Sequence, residues 1–155
     1  MRKVLLIFAL LLLVVGIMLF AQNYSKIGSF PFKKNPTVTI NGHNFKVNVA
    51  GSQKEREIGL SQIADLPQDQ GMIFIFEKPA YYSFWMKNMK FPIDIIYIND
   101  DKIVTIKGKV QPPTSQEGSI IYTPSDPADK VLEINAGLSE KYNFTKGDKV
   151  KIDNL

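Results

Sequence analysis

The chain contains no cysteine and one histidine, His43, in 155 residues. Without Cys there is no disulfide framework, no thiolate metal site, no thiol nucleophile and no lipidated cysteine. A single His excludes a His-rich metal cluster and leaves any Ser-His-Asp triad dependent on His43, which falls in an expected hairpin turn and reads as an ordinary loop residue. No glycine-rich phosphate loop, HExxH or GxSxG is present, and no motif implies a cofactor. Acidic charge is missing from the first 35 residues, which hold Arg2, Lys3, Lys26, Lys33 and Lys34. Removing those five from the 19 basic residues leaves 14 against 15 acids, a net of −1 for residues 36–155. The remainder has no basic run, so it lacks the electrostatic footprint of a nucleic-acid partner.

The amino terminus carries the one long apolar run, Val4 to Ala21, 18 residues broken only by Gly16. As a helix rising ~1.5 Å per residue it would span roughly 27 Å, close to the hydrocarbon thickness of a bilayer. A helix apolar all round has no place in a soluble domain this small. A signal anchor and a cleaved signal peptide both fit. Cleavage after Ala21 would put Leu19 at the −3 position, a poor match to the small-x-small rule, which favours the anchor. Arg2 and Lys3 place the amino terminus inside and the rest outside the cytoplasm, membrane-anchored, or secreted if the segment is removed. The organisation expected is therefore 1–21 anchor or signal peptide, 22–36 linker rich in Gly, Pro, Ser and Asn, and 37–155 a single domain with the membrane as partner through residues 4–21.

Within that domain, Thr37–Ile40 and Phe45–Ala50 are β-type runs around Asn41-Gly42, a hairpin signal. Ser52 with Glu55 three residues on forms a capping box for a short helix, Gln53 to Leu60. Met72–Phe76, Tyr81–Met86, Ile93–Ile98, Lys102–Val110, Ile120–Tyr122, Val131–Ile134 and Lys149–Ile152 read as strands or extended segments, with a short helix or turn over Leu138–Phe144. About eight closely spaced strands with one or two small helices predict an all-β fold, a compact antiparallel barrel or sandwich. No β-α-β alternation points to a parallel pair.

The densest chemistry lies in Tyr81 to Asp94, which holds the sole Trp, Trp85, with Lys87, Asn88 and Asp94. Strand alternation puts Asp94 on the face of Ile96 and Ile98, where a carboxylate needs a partner. Lys87 and Arg56 are candidates for that partner; the alternative is an Asp at the wet end of a strand, bonded to backbone amides. Phe84 and Met86 read as core, whereas Trp85 shares a face with Lys87 and suits an aromatic wall for a sugar or peptide. Glu133 shares a face with Val131 and Asn135, opposite Leu132 and Ile134; it reads as a solvent-facing charge or, if it shared a cleft with Asp94, as half of an acid–base pair. Arg56 reads as a surface ion pair or as an anion clamp at a pocket rim.

Glu55-Arg56, Gly59-Leu60, Leu66-Pro67, Gly71 to Phe76, Phe84-Trp85-Met86-Lys87-Asn88, Pro92-Ile93-Asp94 and Val131 to Gly137 with Gly147-Asp148 occur in one order. This order resembles the domain of unknown function 192 family over roughly residues 45–152. The resemblance implies a compact all-β barrel or sandwich, often with an export signal or anchor, and no established activity. The family pattern usually has Met and, two residues on, Arg after Gly-Leu, where this chain has Ser61 and Ile63; it has Thr after Lys-Asn, where this chain has Met89.

Three functions remain: a non-enzymatic envelope module that binds a small ligand, glycan or peptide through Trp85, Lys87, Asn88, Asp94, Glu133 and Arg56; a hydrolase or lyase acting on envelope polymers through Asp94 and Glu133; and an accessory protein in which these residues only maintain the fold. Under the first, Asp94→Asn and Lys87→Ala are expected to weaken binding while leaving the fold intact.

Overall fold

The computed structural model describes residues 36–114 and 120–155. The expected anchor, 1–21, and all but the last residue of the linker lie outside the described residues. Among the described residues no helix is long and apolar enough to cross a membrane.

Among the described residues, nine strands and two short helices follow in the order β1 Thr37–Ile40, β2 His43–Ala50, α1 Gln53–Ile58, β3 Gln70–Ala80, β4 Phe84–Trp85, β5 Ile93–Asn99, β6 Lys102–Val110, β7 Ile121–Tyr122, β8 Ala128–Asn135, α2 Leu138–Lys141 and β9 Val150–Asp153. Seven strands make one sheet, ordered β6-β5-β8-β3-β2-β1-β9, and β4 and β7 make a separate two-stranded ribbon. The large sheet curls into a half-barrel. Its two edges meet at one end, where Ile103 N–H donates to the Asp148 carbonyl at 3.0 Å and Val150 N–H to the Asp101 carbonyl at 2.7 Å.

Local sequence accounts for most of these elements. Asn41 at φ 49° and Gly42 at φ 80° form the two-residue turn whose twist suits a hairpin, so β1 and β2 pair antiparallel. His43 is consequently the first residue of β2 and not a loop residue; its ring stacks on Tyr142 with centroids 3.8 Å apart. In α1 the capping box closes both ways: Ser52 Oγ accepts from Glu55 N–H and Glu55 Oε2 accepts from Ser52 N–H at 2.8 Å. The helix stops at Gly59, whose φ of 49° disfavours a side chain. From Ile93 to Ile98 β5 is buried on both faces, as an almost continuous apolar run in mid-sheet should be.

The expectation of a purely antiparallel sheet is corrected at one place. β2 and β3 pair parallel, with Lys46 opposite Gln70 and Ala50 opposite Phe74. Two parallel neighbours need a long crossover, and α1 with residues 59–69 supplies it. The helix was legible in its capping box; its role as a crossover was not, because a six-residue helix gives too short a period to announce a β-α-β unit.

Two apolar cores lie on opposite faces of the sheet. Every strand of the large sheet contributes to the first, including Val38, Phe45, Ile73, Ile96, Leu132 and Val150, so this face is the one the curl encloses. The second holds Phe74, Ile95, Tyr97 and Val131 under Leu60, Leu66 and Met86, which come from the crossover and from the segment that follows β4. Asn135 ties the crossover down, its side-chain amide donating to the Leu66 carbonyl at 2.6 Å.

Candidate functional site

Asp94 and Glu133 fall on different faces of this sheet. β5 and β8 pair so that Asp94 lies opposite Ile134 and Ile95 opposite Glu133. Side chains alternate along each strand, so Asp94 enters the enclosed core beside Ile96 while Glu133 enters the outer core beside Val131. The acid–base pair suggested by the sequence therefore does not form; a sheet separates its two carboxyl groups.

Asp94 is fully buried. Its Oδ1 accepts from the backbone N–H of Lys109 at 2.7 Å and of Gly137 at 2.9 Å, and its Oδ2 accepts from Ser139 N–H at 2.8 Å and Ser139 Oγ at 2.5 Å. The partner is thus neither Lys87 nor Arg56, and the end of the strand is not wet. The carboxylate pins the end of β6 and the start of α2 to β5, with the backbone of Lys109 (φ 53°) and Gly137 (φ 83°) turned into left-handed conformations around it. This is a fold-holding role at a site closed to ligands.

Glu133 is not the solvent-facing charge that its strand position suggested. It is 95% buried, with 5% of its surface exposed, because α1, its crossover and the β4–β7 ribbon cover the outer face of the sheet. Among the described residues no hydrogen bond or ion pair reaches its carboxyl group. Desolvation pushes its pKa up to about 8, so the group is mostly protonated at neutral pH.

That carboxyl opens into a cavity of about 140 Å³. Phe74, Phe76 and Phe84 wall it, together with Leu60 and Met89. The Phe84 ring meets Phe74 edge-on at 4.9 Å and Tyr97 at 5.9 Å, an interlocked set with little freedom to collapse. Trp85, Lys87 and Arg56 also line it. Trp85 is 56% exposed, and Lys87 Nζ lies 5.6 Å from the centre of its ring. The Arg56 guanidinium stacks over Phe76 at 5.1 Å and donates through one nitrogen to the carbonyls of Gly51 and Ile75. Neither the expected surface ion pair of Arg56 nor an acidic partner for Lys87 occurs among the described residues.

Of the six residues singled out from the sequence, four therefore meet: Trp85, Lys87, Arg56 and Glu133. Asp94 lies across the sheet. Asn88 takes a left-handed backbone (φ 61°) in the turn closed by Met89 N–H donating to the Met86 carbonyl, and it is not part of the cavity wall. Phe74 and Phe76 were legible only as part of the apolar strand Met72–Phe76, and nothing in the sequence showed that α1 would fold over them. Ser61 and Met89, two of the three positions that depart from the family pattern, both line the cavity. Among the described residues no group of three or more His, Asp or Glu side chains could hold a metal ion.

A half-barrel with an aromatic recess on its outer face, floored by an unpaired acid, is the class of domain this chain presents. Residues 36–152 match the DUF192 family, described as Uncharacterized ACR, COG1430, and the chain belongs to that family. A solved protein of unknown function from Novosphingobium aromaticivorans is 30% identical, with a TM-score of 0.69 over 80% of this chain and 91% of that one. A solved protein from Sinorhizobium meliloti, described as a candidate transcription regulator, is 29% identical, with a TM-score of 0.70 over 83% of this chain and 100% of that one. No curated protein matches the chain.

Proposed function

We propose that the domain is a non-enzymatic module that binds a small ligand in the recess between Trp85 and Glu133, and that it works tethered outside the cytoplasm. The observation that carries the binding reading is the Glu133 carboxyl group. Its oxygens accept from no described residue and open into the recess, and an acid so placed is completed by what enters from outside the chain. Rigid aromatic walls, a few polar groups and an opening to solvent are the usual composition of a ligand pocket. Tethering is supported by the Val4–Ala21 run and its Arg2-Lys3 flank. The regulator description of the Sinorhizobium meliloti protein does not transfer well: residues 36–155 carry a net charge of −1 and no basic stripe to follow a phosphate backbone.

The sole tryptophan stands at the recess and reports on it directly. The full-length chain in detergent, titrated with amino acids, sugars, short peptides and divalent cations, should show a saturable shift of Trp85 emission with one of these classes, together with a higher melting temperature. If no class moves either signal, the binding reading fails and the accessory role is left.

A further inference from the structure

We propose that the recess takes a small zwitterion, with its ammonium group on Glu133 and its carboxylate held at the mouth by Arg56 and Lys87. The inference rests on the recess being a ligand site and names the chemistry of the ligand.

The charges are arranged by depth. Glu133 is 95% buried, whereas Arg56 is half-buried and Lys87 exposed. All three line one cavity, yet no ion pair joins the acid to either cation. An acid and two cations that share a pocket without pairing with one another are complementary to a molecule carrying a cation and an anion in the reverse order. The inner end suits a cation, since an ammonium gains the carboxylate beside the Phe74 and Phe84 rings that line the cavity, the Phe76 ring being taken by Arg56 and Tyr82. At the outer end, the Arg56 guanidinium is held by Phe76 and by two backbone carbonyls through one nitrogen, which leaves its Nε and other amino nitrogen without an acceptor among the described residues. A carboxylate is the group that matches this edge. Size sets the scale of the rest of the molecule. A cavity of about 140 Å³ is comparable to the ~150 Å³ that takes a single benzene-sized group, so a short aliphatic or single-ring side chain fits.

Binding carries a proton balance. Glu133 is mostly protonated in the empty recess. When an ammonium ion arrives the Glu133 O–H bond breaks, the proton leaves to solvent, and the carboxylate accepts from the ammonium; no covalent bond forms. The other charged groups lining this space are Arg56, Lys87 and Glu57, and the Tyr97 hydroxyl, outside the lining, is near enough to feel the Glu133 charge. Glu57 accepts from Gln53 at 2.9 Å, and the Tyr97 hydroxyl donates to the Tyr122 carbonyl at 2.7 Å. Desolvation, with Glu133 as a second cause, keeps the Tyr97 hydroxyl protonated far above neutrality. Glu133 is therefore the group that supplies the proton.

The test uses the full-length chain in detergent and three matched probes: leucine, isoamylamine (the same skeleton without the carboxylate) and 4-methylpentanoate (without the amine). Trp85 emission gives affinity, and calorimetry at pH 7 in two buffers of different ionisation enthalpy counts protons. Leucine should bind at least tenfold more tightly than either single-ended probe. Leucine and isoamylamine should each release close to one proton, and 4-methylpentanoate none. Glu133→Gln should abolish the proton release and lower leucine to the affinity of 4-methylpentanoate, while Lys87→Gln should lower it toward that of isoamylamine. Equal or tighter binding of 4-methylpentanoate, amine binding without proton release, or no response to all three probes overturns the zwitterion. A sugar, peptide or metal ion that shifts Trp85 when these do not would leave the recess a ligand site of another chemistry; silence across every class defeats both readings.

Discussion

Asp94 and Glu133 sit one register step apart on neighbouring strands and point through opposite faces of one sheet. One acid is saturated by four donors, and the other meets none among the described residues. The difference separates a residue that builds the domain from one that the domain keeps at a cost. Burial alone does not distinguish them, since both are nearly inaccessible.

Asp94→Asn should unfold or severely weaken the domain. Each carboxylate oxygen accepts two hydrogen bonds, and an amide offers only one such oxygen. In the place of Oδ1 its NH₂ group would face two backbone N–H donors, and in the place of Oδ2 it would face the Ser139 N–H beside a hydroxyl that can turn to accept. Losing two charge-assisted bonds and leaving buried N–H groups unsatisfied costs about 3–5 kcal/mol, measurable as a fall in urea midpoint at unchanged slope. Ser139→Ala removes one donor and should cost about 1.5–3 kcal/mol. The sequence alone pointed to a binding defect with an intact fold; a neutral Asp94→Asn stability would restore that view.

Glu133 should make the domain less stable as pH rises. Its pKa is about 8 in the folded chain against 4.5 for the free group, so the folded state binds the extra proton between those values. Stability then falls with increasing pH, by at most about 1.4 kcal/mol per unit through that window, and levels off above it. Glu55, Asp69, Asp126 and Asp148 behave oppositely, being held low by hydrogen bonds from Ser52, Lys46, Lys146 and Thr145. Their stabilisation is lost only on acidification below the usual carboxylate range, outside the Glu133 window. Denaturant midpoints from pH 5 to pH 9 should slope downward in the wild type and stay flat in Glu133→Gln. Glu133→Met should be more stable at pH 8 by about 1–3 kcal/mol and lose ligand binding. A flat wild-type profile would show that water or a neighbour satisfies the acid.

Local signals carried most of the fold. The Asn41-Gly42 turn, the Ser52–Glu55 box and the Lys102–Val110 strand appear where their residues placed them, because each depends on chemistry within a few positions. The parallel β2–β3 pairing and the covering of Glu133 depend on where a crossover lands, and no short-range pattern encodes that. The same limit explains the site. Trp85 and Lys87 are two residues apart and were legible as a pair, whereas their meeting with Glu133 and Arg56 is a product of tertiary packing. Asp94 misled because an acid among apolar residues looks alike in sequence whether backbone amides or a ligand satisfies it.

Gly71→Ala should damage the sheet beneath the recess and disturb its Glu133 floor. A Cβ on Gly71 would stand 2.6 Å from the backbone oxygen of Glu133 and 3.0 Å from Ile134 Cγ2. The first neighbour is main chain near one end of the β3–β8 ladder and cannot rotate away. Forcing it costs about 1–3 kcal/mol and shifts β8 locally. The melting temperature should drop, and amide exchange of β8 should rise more than that of β1. An unchanged melting temperature would mean that β3 and β8 can part at this point.

Trp85→Ala should spare the sheet. The indole is more than half exposed on a two-stranded ribbon, opposite the equally exposed Ile121. Its removal forfeits the contact with Lys87 and little buried area, so stability should change by no more than about 1 kcal/mol. If Trp85 is a wall of the ligand site, the same change should raise the dissociation constant for any recess ligand at least tenfold, read by calorimetry because the fluorophore is gone. A large loss of stability with unchanged affinity would instead make Trp85 a structural plug and remove the indole from the binding surface, leaving Phe74, Phe76 and Phe84 as its aromatic part.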